Sequence, residues 1–239
     1  MVYCADNTLV RQNTAMTTTD LQLSPKAFEA MRQAMVSSQL RTTAVNDPRV
    51  VTAMGRVPRE RFVPADEREF AYLDRALPLG RGRYLNVPVA TGRLLTEAYL
   101  TPDDRVLLIG AATGYSAAVL AGLVASVVAV ESDPALAGFA REALAGAPSV
   151  RLVEGDLAEG WADGAPYDVL VIDGAVEFVP EPLLRQLKPG ARIAAGLVEN
   201  NVIRLASGRR SAGGYGLTSF ADMDCVPLPG FQRPRRFTF

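Results

Sequence analysis

From about residue 101 onward, short apolar runs alternate with stretches in which apolar residues recur at helical spacing. This alternation predicts parallel strands joined by crossover helices, which is the pattern of an α/β fold. The longest apolar run extends from Ala117 to Val130. Because it is shorter than the roughly 20 residues that cross a bilayer, we interpret it as a buried helix leading into a strand. The predicted parallel strands are RVLLI, SVVAV, VRLVE, YDVLVI and ARIAAGL.

The pattern before residue 101 is helical and irregular. Ser24 precedes Pro25, and Asp47 precedes Pro48; a capping side chain followed by proline is typical of a helix N-terminus. Prolines and glycines between residues 57 and 88 predict turns and irregular loops. A further helix is predicted from residue 88 to about residue 100.

Beyond Glu199 the pattern changes to two extended segments, NVIRLAS and LTSFADMDCVPL. They are joined by the glycine- and arginine-rich stretch GRRSAGGYG. This arrangement predicts an antiparallel hairpin at the edge of the sheet.

Composition limits the possible partners. Apolar residues make up 49% and charged residues 21% of the 239 positions, which excludes overall disorder. Lys plus Arg number 25 and Asp plus Glu 26, for a formal net charge of -1. Because this balance gives no sequence-wide attraction to phosphates or anionic lipid, we expect no nucleic-acid or membrane partner. The arginines of the C-terminal region are interpreted as parts of solvated loops and tails.

Histidine and cysteine usage narrows the chemistry further. The chain has no histidine and two cysteines. A Ser-His-Asp triad and His-ligated metal sites are therefore excluded, and we expect no metal. The cysteine count gives no evidence for a disulfide framework, which favours a cytoplasmic location. We expect residues 1–22 to be an extension without a signal peptide, and residues 23–239 to be a single domain.

A glycine turn and an acidic residue suggest a nucleoside ligand. Gly110 and Gly114 lie between a predicted strand and a predicted helix, where backbone N–H groups can face a ligand. Glu131 ends the next strand, where a carboxylate can accept both hydroxyls of a ribose. Ala112 and Tyr115 stand where a dinucleotide fingerprint has glycines. A cofactor without a pyrophosphate therefore fits better.

Asp156 follows the third predicted strand, in the sequence EGD. Its carboxylate could accept a hydrogen bond from an exocyclic amine such as that of adenine. A solvated capping residue is the alternative interpretation.

Taken together, these motifs resemble the protein-L-isoaspartate O-methyltransferase family over roughly residues 31–230. The most specific part is DPRVVTAMGRVPRERFVPADEREFAYLDRALPLGRG, which is similar to the stretch between the family's N-terminal helix and its substrate loop. Further similar pieces follow in the family's order: VLLIGAATGYSAAVLA, VEGD, YDVLVI, VPEPLLRQLKPGARI and VPLPG.

The resemblance implies a three-layer, Rossmann-like methyltransferase sheet. Residues 23–100 would form N-terminal helices and the substrate loop, and residues 101–239 the cofactor-binding sheet. The implied cofactor is S-adenosylmethionine, and the implied substrate is an isoaspartyl-containing peptide or protein. The residues implied to bind the cofactor are Gly110, Ala112, Gly114, Glu131, Ser132, Asp156 and Leu157.

The chain departs from the family in the substrate loop, where T-I-S-Q-P is typical. The corresponding residues are Tyr84, Leu85, Asn86, Val87 and Pro88. Asn86 replaces the family's serine and is the predicted catalytic position, because an amide can donate a hydrogen bond as a hydroxyl does. The other four residues are predicted to bind the substrate. Val87 replaces a glutamine and can form no polar contact.

Three further departures concern the sheet. Leu108 replaces the acidic residue of the family's E-I-G-x-G-x-G, and Ala112 replaces its middle glycine, which adopts positive φ more freely. Both changes are expected to weaken cofactor binding. Asp173 ends YDVLVI where the family commonly has threonine. It is interpreted either as a helix cap or as a catalytic carboxylate that faces the substrate.

Methyl transfer to a carboxylate is the expected reaction. An acceptor with a pKa near 4 is already ionised at pH 7, so alignment replaces proton removal. One alternative is a relative that has lost turnover and binds a nucleoside or a protein partner. Another is a different methyl acceptor. A nucleotide-dependent oxidoreductase is disfavoured by Ala112 and Tyr115.

Overall fold

The computed structural model describes residues 23–233. The N-terminal part consists of helices and a two-stranded hairpin that lead into the sheet. As predicted, the Ser24 side chain accepts a hydrogen bond from the Ala27 N–H at 3.2 Å, and that of Asp47 accepts one from the Arg49 N–H at 2.8 Å. The elements are α1 (Pro25–Met35), α2 (Pro48–Arg56), β1 (Leu77–Gly80), β2 (Arg83–Leu85) and α3 (Pro88–Glu97).

The remaining elements form one seven-stranded sheet and its crossover helices. The strands are β3 (Arg105–Ile109), β4 (Ser126–Glu131), β5 (Val150–Glu154), β6 (Tyr167–Val176), β7 (Leu187–Glu199), β8 (Val202–Ser211) and β9 (Gly214–Asp222). The helices are α4 (Tyr115–Ala121), α5 (Pro134–Ala143) and α6 (Glu181–Arg185). The predicted change from helix to strand within the apolar run 117–130 is therefore confirmed.

The strand order is β5-β4-β3-β6-β7-β8-β9. The first five strands in this order pair in parallel, whereas β7, β8 and β9 pair antiparallel. The chain moves outward from β3 through β4 to β5 and then returns to the other side of β3 as β6. The carboxyl ends of β3 and β6 therefore meet at a topological switch point, where α/β sheets bind ligands.

Alternate residues of the central strands pack against two different layers. Val106 and Leu108 of β3 face a core formed with α1 to α5. Leu107 and Ile109 face a second core, to which α6 and Leu228 contribute. This two-sided burial explains why the predicted strands are nearly continuous apolar runs, and it confirms the three-layer architecture.

The C-terminal segment differs from the prediction. The extended pattern LTSFADMDCVPL was expected to be one hairpin strand, but β9 ends at Asp222. The chain then crosses to β6, where the Ala175 N–H donates to the Val226 carbonyl at 2.8 Å and the Leu228 N–H donates to the Ala175 carbonyl at 3.0 Å. The apolar residues 225–228 therefore pair with the centre of the sheet rather than with its edge.

Three hairpin arginines make internal contacts. Arg204 pairs with Asp222 at 2.8 Å, Arg209 donates to the Gly190 carbonyl at 3.0 Å, and Arg210 donates to the carbonyl of Leu187. Within residues 23–233, no helix is both long and apolar enough to cross a bilayer. The predicted extension 1–22 and the C-terminal residues 234–239 lie outside the described residues.

Candidate active site

The glycine turn after β3 opens the crevice. Gly110 adopts a φ of 79°, and the N–H groups of Gly110 and Ala111 donate to the Val130 carbonyl at 3.1 and 3.0 Å. Gly114, with a φ of 98°, precedes the first residue of α4. A Cβ atom on Gly110 would lie 2.8 Å from a methyl of Leu228. Glycine is therefore required here both by the backbone conformation and by close packing.

Ala112 lies in the same turn with a φ of 49°. A glycine would adopt this left-handed conformation at little cost, whereas an L-residue is strained in it. The strained backbone points the Ala112 N–H at Glu131 Oε2, 2.7 Å away. The turn thus holds the carboxylate at the end of β4 through a main-chain hydrogen bond.

Glu131 is completely buried and accepts five hydrogen bonds. Three come from the backbone: Ala112 bonds Oε2, and the N–H groups of Ser132 and Asp133 bond Oε1 at 2.9 Å. The remaining two come from Arg83, whose Nη1 and Nη2 lie 2.5 and 2.9 Å from Oε1 and Oε2. A carboxylate has about four lone-pair sites, so its acceptor capacity is used up.

Two further residues of the predicted cofactor site are now placed. Asp156 is exposed, and its Oδ1 accepts a hydrogen bond from the Ala158 N–H at 2.8 Å. Leu157 is buried in the core on the α6 side of the sheet. Both follow β5, whose end is tied to β4 by the hydrogen bond from the Gly155 N–H to the Glu131 carbonyl at 3.0 Å. Their contact with a nucleoside stays a prediction.

Asn86 and Asp173 meet at the other half of the crevice. The Asn86 side-chain nitrogen donates to Asp173 Oδ1 at 2.8 Å and to the Asp173 carbonyl at 3.0 Å. Its side-chain oxygen accepts the Val226 N–H at 2.7 Å. Both N–H donors of Asn86 are therefore engaged, and the residue fastens the substrate loop to β6 and to the C-terminal segment.

Asp173 lies within β6, so the helix-cap interpretation is wrong. The pairing of β6 with β7 changes register between Ile172 and Ala175, and an irregularity of this kind can redirect a side chain. The carboxylate also accepts hydrogen bonds from the hydroxyls of Thr91 and Ser116. Burial raises its pKa, and the hydrogen bonds together with the charge of Arg59 oppose this rise.

Sequence reasoning missed Arg59. Its guanidinium is fully buried, donates from Nε to the Ala71 carbonyl at 2.8 Å and from Nη2 to the Asn86 carbonyl, and stacks 4.7 Å from the centre of the Tyr115 ring. Within residues 23–233, its Nη1 atom has no hydrogen-bond partner. Burial lowers the pKa of Arg59. The two residues that follow it, Glu60 and Arg61, are also charged, so the sequence carries no local signal of this burial.

The predicted substrate-binding residues divide into two groups. Tyr84 is exposed and Val87 half-buried, and both line a groove of about 500 Å³. Leu85 and Pro88 are buried: Leu85 packs in the core, and Pro88 begins α3. These two support the loop rather than line the groove. The remaining walls of the groove are formed by residues 74–76, Asn86, Ile203 and residues 224–227.

The residues fit an adenosyl cofactor with one condition. Glu131, held in place by three backbone N–H groups, offers two oxygens for the two hydroxyls of a ribose. Arg83 fills both positions, so the fit requires its two N–H groups to leave. Among the described residues, no group of three or more acidic or cysteine side chains is arranged to hold a metal ion.

An open α/β sheet with a glycine turn after β3 and a buried carboxylate at the end of β4 is typical of Rossmann-like proteins that bind nucleoside cofactors, and the likeness to known proteins identifies this one as a Rossmann-like methyltransferase. The family model described as Protein-L-isoaspartate(D-aspartate) O-methyltransferase matches residues 30–230. The chain belongs to this family, whose members use S-adenosylmethionine.

Individual relatives agree with this assignment. Protein-L-isoaspartate O-methyltransferase 1 of Rhodopseudomonas palustris is 38% identical over 210 residues, which cover 85% of each chain. Its counterpart in Koribacter versatilis is 37% identical over 207 residues, covering 86% of this chain and 93% of the relative.

Solved structures support the fold. A protein-L-isoaspartate O-methyltransferase has a TM-score of 0.73 at 23% identity, covering 85% of this chain and 66% of its own. A second, from Plasmodium falciparum and in complex with S-adenosyl-L-homocysteine, has a TM-score of 0.67 at 15% identity. The match covers 84% of this chain and 97% of that one.

Proposed function

We propose that this protein transfers the methyl group of S-adenosylmethionine to the side-chain carboxylate of isoaspartyl residues in damaged peptides or proteins, in the cytoplasm. The observation that carries the proposal is the position of the substrate loop. Arg83, which immediately precedes this loop, contacts Glu131, and Asn86 within the loop contacts Asp173. The loop therefore connects Glu131, the carboxylate proposed to bind the ribose, with the groove beside Tyr84.

The acceptor would enter through this groove. Its lining is mostly apolar, with Tyr84 and Val87 on the loop side and Ile203 and Val226 on the other. The charged residues Asp74, Arg75 and Asp224 also line the groove, so it suits a peptide segment that makes both apolar and polar contacts. Leu73, 44% exposed, directly precedes residues 74–76 of the groove, and the 39% exposed ring of Phe70 lies 5.0 Å from the guanidinium of Arg75, which lines the groove.

The reaction requires alignment of the acceptor carboxylate with the methyl group rather than a general base. S-adenosylmethionine supplies, when bound, an electrophilic methyl group on a positively charged sulfur. An acceptor carboxylate is ionised at neutral pH and can attack without losing a proton. The roles of this chain are to bind the nucleoside at Glu131, to orient the acceptor in the groove and to exclude water. Asp173 is engaged by the side chains of Asn86, Thr91 and Ser116, and burial raises its pKa.

The competing function is nucleoside or partner binding without turnover. Its supporting observation is that Arg83 occupies the acceptor positions of Glu131. A pocket kept closed in this way could act as a sensor rather than as an enzyme. Such a protein would bind S-adenosylhomocysteine and transfer no methyl group to any isoaspartyl peptide.

The deciding experiment is label transfer from methyl-labelled S-adenosylmethionine to an isoaspartyl peptide. The same peptide with a normal aspartyl residue is the substrate control. We expect labelling of the isoaspartyl peptide alone; equal labelling, or none, would contradict the proposal.

A pair of tyrosine variants tests the groove. Tyr84→Ala should raise KM several-fold, because Tyr84 lines the groove. Tyr99→Ala is the matched control, since Tyr99 is 64% exposed and lies before β3, away from the carboxyl ends of the strands. A KM that changes equally in both variants would argue against this groove as the acceptor site.

A further inference from the structure

The turn between β1 and β2 places a cation in the cofactor site. Residues 80–82 all have positive φ values, of 88°, 52° and 73°, and this tight turn directs the next side chain inward. Arg83 is only 6% exposed, whereas the side chain of its neighbour Arg81 is 72% exposed. Two arginines in the same turn therefore have opposite environments.

The contact that Arg83 makes duplicates what a ribose would make. Its two terminal N–H groups reach both oxygens of Glu131 in a bidentate pair, and a ribose diol would donate two hydroxyls to the same oxygens. The exchange conserves the number of hydrogen bonds to the carboxylate. Arg83 and a ribose cannot bind Glu131 at the same time, because the three backbone donors and Arg83 already exceed the usual acceptor capacity of a carboxylate.

Two features indicate that Arg83 can leave. Its Nε atom is buried without a hydrogen-bond partner among residues 23–233, so the inward position is incompletely satisfied, which costs free energy. Beside it lies a cavity of about 460 Å³, lined by the turn residues 81–83, by residues 132–134 at the start of α5 and by residues 227–229. This cavity offers the guanidinium an outward position near Asp133, whose Oδ1 caps α5 and whose Oδ2 lies 3.9 Å from Arg81.

We propose that Arg83 is an internal competitor for the cofactor: its side chain closes the ribose site by pairing with Glu131, and the cofactor binds by displacing it outward. The proposal rests on the proposed use of an adenosyl cofactor at Glu131. It makes Arg83 a determinant of cofactor affinity that acts through Glu131 and takes no part in methyl transfer.

The first test measures S-adenosylhomocysteine binding by calorimetry to the wild type, Arg83→Gln, Arg83→Lys and the control Arg141→Gln, which changes an exposed arginine of α5 outside the cavity. We expect Arg83→Gln to bind at least tenfold more tightly. Arg83→Lys should be intermediate, because lysine keeps the charge but cannot pair in bidentate fashion. Arg141→Gln should be within twofold of the wild type. Unchanged or weaker binding by well-folded Arg83 variants would overturn the proposal.

The second test uses the wild type alone, so it does not depend on how a variant folds. Phenylglyoxal modifies accessible arginines, and mass spectrometry reports each site. Adding S-adenosylhomocysteine should increase the modification of Arg83, leave Arg81 reactive and leave Arg59 protected. Protection of Arg83 by the ligand would instead show that it contacts the cofactor, and would overturn displacement.

The two proposals fail separately. If the protein methylates the isoaspartyl peptide but Arg83→Gln binds no more tightly, the role of Arg83 as a competitor is wrong and the proposed function stands. If Arg83→Gln binds more tightly but no methyl group is transferred, the role of Arg83 as a competitor stands and the proposed acceptor is wrong. If no variant binds S-adenosylhomocysteine, the proposal that Arg83 competes with the cofactor is overturned, because freeing Glu131 from Arg83 would not have made the site able to bind.

Discussion

Asn86 donates one amide hydrogen to the carboxylate and one to the backbone carbonyl of Asp173, a residue 87 positions later in the chain. These two residues replace the serine and the threonine that are common at the corresponding family positions. In this chain an amide donor faces a carboxylate acceptor, so the contribution of each side chain to stability depends on the other.

The coupling predicts non-additive stability. Asn86→Ser and Asp173→Thr should each lower the free energy of unfolding by about 1–3 kcal/mol, because each leaves buried polar groups without partners. The double variant should lose at least about 0.5 kcal/mol less than the sum of the two. Urea unfolding followed by circular dichroism would measure all four proteins. Strict additivity would show that the contact contributes little energy.

The same positions are expected to control the acceptor. Combining Asn86→Ser, Val87→Gln and Asp173→Thr should increase turnover on an isoaspartyl peptide above that of the wild type, because a free hydroxyl and an amide replace groups already engaged or apolar. Steady-state rates would test this. A wild type as fast as the triple variant would show that these residues do not select the acceptor.

Glu131 should be tested without its arginine. In the Arg83→Gln background, Glu131→Ala should weaken S-adenosylhomocysteine binding by about 1–3 kcal/mol, because two hydroxyl hydrogen bonds are lost. In the wild-type background the substitution also leaves Arg83 buried without an anion, so the two effects would be mixed. Calorimetry gives both values. Equal affinity with and without Glu131 in the Arg83→Gln background would exclude it as the ribose ligand.

Replacing Ala112 with glycine is expected to stabilise the fold. Relief of its positive φ is worth about 1–2 kcal/mol and the added chain entropy costs about 0.5–1 kcal/mol, so Ala112→Gly should raise the free energy of unfolding by up to about 1.5 kcal/mol. Ala111→Gly is the control and should lower it, because Ala111 is not in the positive-φ region. Thermal unfolding measures both variants, and a lower melting temperature for Ala112→Gly would contradict the strain.

The variant Leu108→Glu needs separate treatment. Leu108 is completely buried in the core that includes α3 and α4, so a carboxylate there must be desolvated. We expect this substitution alone to destabilise the fold, and Ala112→Gly alone to account for any tighter cofactor binding of the pair. Calorimetry on the single and double variants would separate the two contributions.

Tyr167 gives a prediction for alkaline pH. Its hydroxyl donates to the Trp161 carbonyl at 2.7 Å, and burial raises the pKa of Tyr167 to about 12, compared with about 10 in the unfolded chain. The stabilisation by this hydroxyl is complete below pH 10 and is lost as pH rises from about 10 to 12. Wild type should therefore exceed Tyr167→Phe by about 1 kcal/mol at pH 8, and the difference should shrink above pH 10. Parallel unfolding profiles for the two proteins across this range would contradict the shift.

Local patterns were sufficient to predict most of the fold. The proline-preceded caps at Ser24 and Asp47 and the apolar strand runs are properties of neighbouring residues, and they predicted α1, α2 and the parallel strands. The end of β9 was missed, because Cys225 and Val226 continue an extended apolar pattern. Their partner is β6, and nothing within the segment distinguishes a central strand from an edge strand as that partner.

The site was less accessible to sequence reasoning. The spacing of the Gly110 turn and Glu131 predicted their proximity, because parallel strands bring their carboxyl ends to one edge. The burial of Arg83 depends on a carboxylate 48 positions later, and that of Arg59 on carbonyls 12 and 27 positions later. An arginine in a charged or glycine-rich stretch looks solvated until those distant partners are known.

The bond between Asn86 and the Val226 N–H joins residues 140 positions apart, and this has a consequence for the order of assembly during synthesis. The glycine turn and Glu131 leave the ribosome long before residues 225–228, which complete the acceptor side and cover Gly110 with Leu228. A nascent chain can therefore form the nucleoside half of the crevice while the peptide half is still unfinished. Because contacts of such long range slow folding, docking of the C-terminal segment onto β6 is the natural last step in making the enzyme.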